Sequence, residues 1–299
     1  MHMNINILCD GKDIYRYVES ITWSGDIQQC YRTLAVKLRN GVRPECGDSV
    51  KFYEGGKLLF AGYVQEVSQD PYSASFEAAD VGVYLSRNDM YREYTGTPQA
   101  ITRDVCKEIG LKVGKLATTK TKKKVTSTGS MSAAKVIEQA YEGKRRRARQ
   151  YSYYIKLGKL YIERVGTVYA GRISTAIETI SRSWSVKNMV NRVVVLTDKN
   201  KKSGSVENKA DRKRYGTYQK TYKHVKGKSD SKEARELLAR LSKTASITAV
   251  GKTAMVAGRR IKVCDKWTGL AAEQIIKSDR HTWGAEGHEM TLEMYYAEK

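Results

Sequence analysis

Tyr31-Arg32-Thr33-Leu34-Ala35-Val36-Lys37-Leu38-Arg39 is the stretch that sets the fold class. Leu34, Val36 and Leu38 fall on one side, and Ala35, Lys37 and Arg39 on the other. That period of two marks a strand with one face on a core and one in solvent. Asn40-Gly41 follows as a turn signal. Val50-Lys51-Phe52-Tyr53 and Leu58-Leu59-Phe60-Ala61-Gly62-Tyr63-Val64 then flank Glu54-Gly55-Gly56-Lys57. This predicts a hairpin whose glycines supply positive φ. Ser75 to Leu85 predicts a further strand. Several short strands at this spacing point to a small barrel or sandwich over residues 1–95.

From residue 96 the period changes. Thr97-Pro98 reads as an N-cap with proline at the first helical position. Ile101, Val105 and Ile109 then share a helical face that ends at Gly110. A second helix is expected from Ser132, with Val136, Ile137, Ala140 and Tyr141 apolar, stopping at Gly143. Lys120-Thr121-Lys122-Lys123-Lys124 between them reads as a solvated loop. Tyr151 to Leu157 and Leu160 to Val165 alternate around Gly158-Lys159, a tight hairpin. Residues 96–185 are therefore a compact α+β domain.

Residues 186–299 return to strands. Val190 to Thr197 is a near-continuous β-branched run, suited to one buried strand. The basic, polar stretch 198–228 has no apolar period and reads as a long loop or insertion. A helix is expected at about 231–244, with Ala234, Leu237, Leu238 and Leu241 on one face behind Asp230 and Ser231. Ala254 to Gly258, Ile261 to Val263, Gln274 to Ile276 and Met290 to Met294 read as strands. The fold class is α+β, mostly β, with two β units flanking the α+β domain.

Composition narrows the function classes. The 299 residues carry 54 Lys and Arg against 32 Asp and Glu, a formal charge of +22, with 40% hydrophobic and 29% charged residues. That balance folds. No apolar run approaches the roughly 18 residues a membrane span needs. The start, MHMNINILCDGK, lacks a signal-peptide pattern, so a soluble protein made in the cytosol, with no membrane partner, is expected. Tyrosine dominates the aromatics, 20 against 3 Phe and 4 Trp, which suits half-buried strand and interface positions. Cys9, Cys30, Cys46, Cys106 and Cys264 form no C-x-x-C pair, so reduced thiols are expected rather than a zinc site or a disulfide framework.

Catalytic patterns are missing. No G-x-S-x-G elbow, H-E-x-x-H or complete dinucleotide fingerprint is present. Gly251-Lys252-Thr253 resembles the tail of a P-loop, but Ser246 stands where its leading glycine belongs. Asp70 with Glu66, and Glu286 with Glu289, have no accompanying catalytic pattern. His281 and His288 lie across a glycine-containing turn that would bring the rings together, making them weak metal candidates beside Asp279 or Glu286. The competing reading is a hairpin supported by hydrogen bonds, since catalytic zinc needs three defined protein ligands. No cofactor is expected.

The basic clusters are the other candidates. Lys144, Arg145, Arg146, Arg147 and Arg149 precede Tyr151, Tyr153 and Tyr154, a set that could grip phosphates and stack bases. Lys201, Lys202, Arg212, Lys213 and Arg214 repeat the chemistry in the 198–228 stretch. Each cluster reads equally as a solvated face or as a contact for an acidic neighbour. A nucleic-acid-binding protein is thus the alternative function, and a metal-dependent enzyme at His281 and His288 a third.

The order of several weak motifs resembles a family. Ala257-Gly258 with Ile261 and Val263, then Thr268-Gly269-Leu270, then His281, His288, Met290 and Leu292 resemble the closing pattern of baseplate hub proteins. The hubs in question belong to contractile phage tails and phage-tail-like particles of the PBSX-prophage type. Gly47-Asp48 followed by Gly62-Tyr63-Val64 resembles that family's first barrel, and Ala79-Asp80 to Tyr84-Leu85 with Thr97 its junction to the middle domain. Ser130-Met131-Ser132 and Asn191-Arg192-Val193 also fit. The basic 198–228 stretch departs from the pattern, and no lysozyme or peptidase module is visible.

The resemblance implies two tube-protein-like β-barrels flanking the α+β domain, and a non-enzymatic role. It implies a homotrimeric ring between a hexameric tail tube protein and a trimeric tail spike, among other baseplate proteins. DNA could pass through the central channel. The location implied is a virion or tail-like particle baseplate, assembled in the bacterial host cytoplasm. A ring of three would carry a net formal charge of +66, which calls for acidic partners or a DNA-filled bore.

Overall fold

The computed structural model describes residues 4–39, 41–142, 150–227, 229–265 and 271–295. The chain divides into two compact units. The first comprises the described residues of Met1–Lys144, Arg149–Ile180 and Ser246–Met294; the second, those of Arg145–Ala148, Ser181–Ala245 and Tyr295–Lys299.

One large sheet, curled into a half-barrel, dominates the first unit. Its strands run side by side in the order Gly287–Tyr295, Ala271–Gly284, Val18–Asp26, Thr33–Arg39, Ser73–Asp80, Lys57–Gln69, Ser49–Glu54 and Ile5–Cys9. The alternation of residues 31–39 appears as expected: Leu34, Val36 and Leu38 are buried while Ala35, Lys37 and Arg39 are exposed. Together with Ile7, Ile21, Val50, Phe52, Phe76 and Trp283 they make the core of this sheet. Phe52 meets Trp283 edge-on at 4.8 Å, and each such side chain contributes about 1.5–3 kcal/mol on burial.

The sequence separates the strands of residues 1–95 from those of the C-terminal third; the structure joins them. Val18–Asp26 and Ala271–Gly284 pair antiparallel, from Ser278 opposite Asp26 to Trp283 opposite Ile21. Alternation specifies which face of a strand is buried and says nothing about its partner, so this continuity had no local signal.

The α+β portion follows the sequence closely. Thr97 Oγ1 accepts the Ala100 N–H at 3.4 Å to cap the Pro98–Glu108 helix. That helix and Ala133–Glu142 bury Ile101, Val105, Val136 and Ile137 against Leu160 and Ile162. The strands Tyr151–Lys156 and Lys159–Arg164 form the expected hairpin, with Leu157 at φ 51° and Gly158 at φ 69°. Two consecutive positive-φ residues are what a two-residue turn needs to match strand twist.

Four local expectations are corrected. The Ser75–Leu85 strand stops at Asp80, because the Asp80 carboxylate accepts the Gly82 N–H at 2.8 Å and turns the chain into a short helix, Val83–Arg87. Lys123 and Lys124 do not sit in a loop; Lys123–Thr126 pairs with Glu93–Gly96. Ala254–Gly258 is no strand: Met255 is buried, but Met255 N–H bonds back to Lys252 and Gly258 sits at φ 85°, so the run folds as successive turns. The helix expected at about 231–244 runs only from Asp230 to Leu237. Leu238 is extended, and Ala239 exchanges two backbone hydrogen bonds with Val190.

The second unit overturns the reading of 198–228 as a loop. Lys202–Glu207 pairs antiparallel and Gln219–Lys223 parallel with a central strand, Arg192–Leu196. Between them lies the Lys209–Tyr215 helix, capped by Asn208 Oδ1 on the Asp211 N–H at 3.1 Å. Val193, Val195, Tyr222 and Ala234 form a small core. The flanking strands give that core little more than Val206 and Tyr222, so no apolar period announces them.

Candidate functional site

The basic residues singled out in the sequence fare differently. Lys144, Arg145, Arg146, Arg147 and Arg149 lie outside the described residues. Lys201, Lys202, Lys213 and Arg214 are exposed on the second unit. Arg212 is not available in the same way: its guanidinium pairs with Glu207, and its Nε donates to Thr217 Oγ1 at 3.3 Å. The sequence cluster thus resolves into four exposed cations and one that ties the Lys209–Tyr215 helix to the strand before it.

In the first unit, His281 and His288 stand on the adjoining strands Ala271–Gly284 and Gly287–Tyr295, with ring centroids 5.3 Å apart. His281 Nδ1 faces His288 Nε2 at 3.1 Å. The outer nitrogens are also engaged: His281 Nε2 with the Met255 carbonyl at 3.1 Å, and His288 Nδ1 with Glu54 Oε1 at 3.2 Å. Glu54 accepts a further bond from Trp283 Nε1 at 2.9 Å. This is a linear relay, whereas a metal site needs nitrogens converging on one point. Among the described residues, no group of three or more His, Cys, Asp or Glu could hold a metal ion.

Two neutral imidazoles supply two N–H protons for three contacts in this relay. A third proton would complete it at the cost of a buried cation. Burial, reinforced by the neighbouring His281, holds His288 down to about 4, and burial also lowers His281. Both rings are therefore neutral at pH 7, and one contact in the chain lacks its proton.

Beside the histidines lies a cluster the sequence did not announce. Arg32 and Asp279 form a buried ion pair, with Nη1 donating to Oδ1 at 3.0 Å and Nη2 to Oδ2. Asp279 Oδ1 also accepts the Ala257 N–H at 2.6 Å. The Arg32 guanidinium stacks 3.7 Å over the Trp23 ring. The Arg32 backbone N–H goes to Asp80 at 2.9 Å, and burial pushes the Asp80 carboxyl up to about 7. Arg32 and Asp279 are 247 residues apart, so no motif spacing could have joined them. What they do chemically is pin the turns at Ala254–Gly258 to the sheet.

A curled sheet joined to an α+β portion is a fold that solved phage-tail proteins share. The chain is similar over 98% of its length to the 43 kDa tail protein of prophage MuSo2 from Shewanella oneidensis, at 15% identity and a TM-score of 0.76, covering 96% of that chain. A tail protein from Neisseria meningitidis MC58 gives 14% identity and a TM-score of 0.72, over 99% of this chain and 97% of the other. The chain belongs to the YqbQ-like family, whose model matches residues 21–295. It is also 24% identical over 263 residues to the phage-like element PBSX protein XkdQ of Bacillus subtilis strain 168, covering 83% of this chain and 81% of that protein. Among more distant folds is the Escherichia coli c3393 protein, described as a type VI secretion component similar to T4 tail proteins gp27 and gp5. It is 10% identical with a TM-score of 0.58, over 98% of this chain and 77% of that one.

Proposed function

We propose that this chain is the structural hub of a contractile phage tail or tail-like bacteriocin baseplate. Three copies form a ring that adapts a hexameric tail tube to a trimeric spike around a central channel. The curled sheet supplies barrel-like halves that imitate tube subunits, so three chains present six such halves upward and threefold symmetry downward. The role is non-enzymatic, and the place of action is the baseplate of the assembled particle.

The observation that carries the reading is a fold likeness over 98% or more of the chain to the tail protein of prophage MuSo2 and to a tail protein of Neisseria meningitidis. The XkdQ relationship adds a phage-like element. Exposed Tyr72, Tyr91 and Tyr63 suit protein contacts. The test is the assembly: with its spike partner the chain should run as a trimer in light scattering, and threefold density should appear between tube and spike in particle images. A monomer in the presence of the spike rejects the proposal.

A second reading, nucleic-acid binding, is favoured by one observation. Ser181–Ala245 holds 18 Lys and Arg against 6 Asp and Glu, so +12 of the total +22 falls on this segment. It requires DNA affinity that drops steeply with salt; weak, salt-insensitive binding rejects it.

A further inference from the structure

The second unit carries an open groove of about 920 Å³, lined by the run 220–225 together with Asn188, Val190, Glu236, Leu237 and Ala239. We propose that this groove takes an extended segment of another polypeptide, alternating acidic and apolar residues, which adds as a strand beside Gln219–Lys223.

The backbone supplies the first argument. Gln219–Lys223 ends its three-stranded sheet, with Arg192–Leu196 on one side and no strand on the other among the described residues. The Arg192 N–H bonds the Tyr218 carbonyl at 3.2 Å, and the His224 N–H bonds the Leu196 carbonyl at 2.8 Å. With the parallel register between those two bonds, Lys220 and Tyr222 also bond inward. The N–H and C=O groups of Gln219, Thr221 and Lys223 therefore point out of the sheet. All three residues are exposed, and these backbone groups have no partner among the described residues. Thr221 and Lys223 line the groove, so it follows this row. A row of free donors and acceptors is a template for a further strand.

Side chains select the occupant. Tyr222, opposite Val195, belongs with Val190 to the small core, and Leu237 and Ala239 pack against it. An added residue on that face meets an apolar wall. Thr221 and Lys223, opposite Val194 and Leu196, lie on the other face. Lys220, Lys223 and Lys226 are exposed and have no carboxylate partner among the described residues. Against them the groove sets one acid, Glu236, while the nearby Asp230 is taken by His224 at 2.8 Å. Carboxylates on the added strand complement this surplus. A second copy of the same edge fits badly, because it would set lysine against lysine. A polynucleotide backbone offers acceptors without regular donors, and so cannot answer the outward carbonyls. The groove lies within one unit, goes beyond the hub reading and does not require it.

The probe is a fluorescein-labelled, acetylated heptapeptide of alternating glutamate and valine, titrated into the full chain by anisotropy. Saturable binding is expected. Thr221→Pro removes an N–H that the sheet itself does not use, and should weaken binding about tenfold or more through lost backbone bonds. Methylating the peptide's backbone amides, which keeps every charge, should do the same, as should glutamine in place of its glutamates. Lys223→Glu, at an exposed position, is the second variant; it should weaken binding severalfold with an unchanged melting curve. Equal binding of the methylated or the glutamine peptide overturns the proposal, as do equal affinities in wild type and both variants. Displacement of the heptapeptide by an equal concentration of a single-stranded oligonucleotide overturns it too, as does no binding at all.

Discussion

Replacing Asp279 by alanine removes the counter-charge of a guanidinium that has few other partners. The Asp279 side chain is fully buried and that of Arg32 is 12% exposed, so the pair is desolvated and not screened like a surface bridge. Breaking such a pair from one side costs about 3–5 kcal/mol, because the remaining charge stays buried. The Ala257 N–H also loses its acceptor, which alone costs about 1–3 kcal/mol; the two losses overlap, so about 4–5 kcal/mol is expected. Asp279→Asn keeps the shape and one acceptor, and should cost about half as much. The double replacement Arg32→Met with Asp279→Leu should recover most of the loss, since buried pairs exchange for apolar residues at little net cost. Urea unfolding followed by tryptophan emission reads the right region, because Trp23 lies under Arg32. A cost below about 1 kcal/mol for Asp279→Ala would mean that the pair is solvated. A double variant no more stable than Asp279→Ala alone would refute the charge argument altogether.

Other perturbations are sharper in sign than in size. His288 is held at about 4 against its usual 6.5, so the unfolded chain takes up its proton first as pH falls. Its contribution is present above pH 6.5 and is lost on acidification towards pH 4, about 3 kcal/mol at 1.36 kcal/mol per unit. Asp80, raised to about 7 from 3.8, acts oppositely and adds stability between pH 7 and 4. His288→Gln removes one slope, and its stability relative to wild type should climb by about 3 kcal/mol from pH 7 to pH 4; a constant difference in paired denaturation curves would contradict this. Gly251→Ala places a Cβ against the His288 ring, where Gly251 N–H also bonds the His288 carbonyl at 2.7 Å, and should cost about 1–3 kcal/mol by overpacking, read as a lowered melting temperature. Val193→Ala, at a fully buried position of the second unit, should cost about 2 kcal/mol and speed tryptic cleavage between residues 199 and 226; unchanged cleavage would mean that this stretch is not held by the small core.

How much of this was legible follows from the range of each signal. The alternation at Leu34, Val36 and Leu38 and the cap at Thr97 are local, and the structure has them where the sequence puts them; the hairpin turn is local too but falls one residue earlier than expected, at Leu157-Gly158 instead of Gly158-Lys159. The strands within 198–228 were hidden because they borrow the core of Arg192–Leu196 instead of bringing their own. Ala254–Gly258 misled in the opposite way: Met255 is buried from within turns that Asp279 secures from a strand outside the run. The histidine pair was visible as a hairpin, but its partners Glu54 and Met255 come from elsewhere, and those partners decide that the rings relay rather than chelate.

The charge that first suggests nucleic acid is distributed in a way that constrains the suggestion. Outside Ser181–Ala245 the chain carries 36 Lys and Arg against 26 Asp and Glu, a surplus of 10 spread over 234 residues. The surplus of 12 inside it sits on only 65. If that segment bound DNA, its salt dependence would come from cations free to replace counterions. Lys201, Lys202, Lys213 and Arg214 qualify; Arg212, held by Glu207, does not. Four phosphate contacts would give a slope near −3.6 in log affinity against log salt, and neutralising Lys213 should lower it by about one. Neutralising Arg212 should leave the slope alone and loosen the Lys209–Tyr215 helix instead. A slope that responds equally to both would mean that the cluster acts through bulk charge, as its sequence alone would have it, and that the geometry of the second unit has no part in binding.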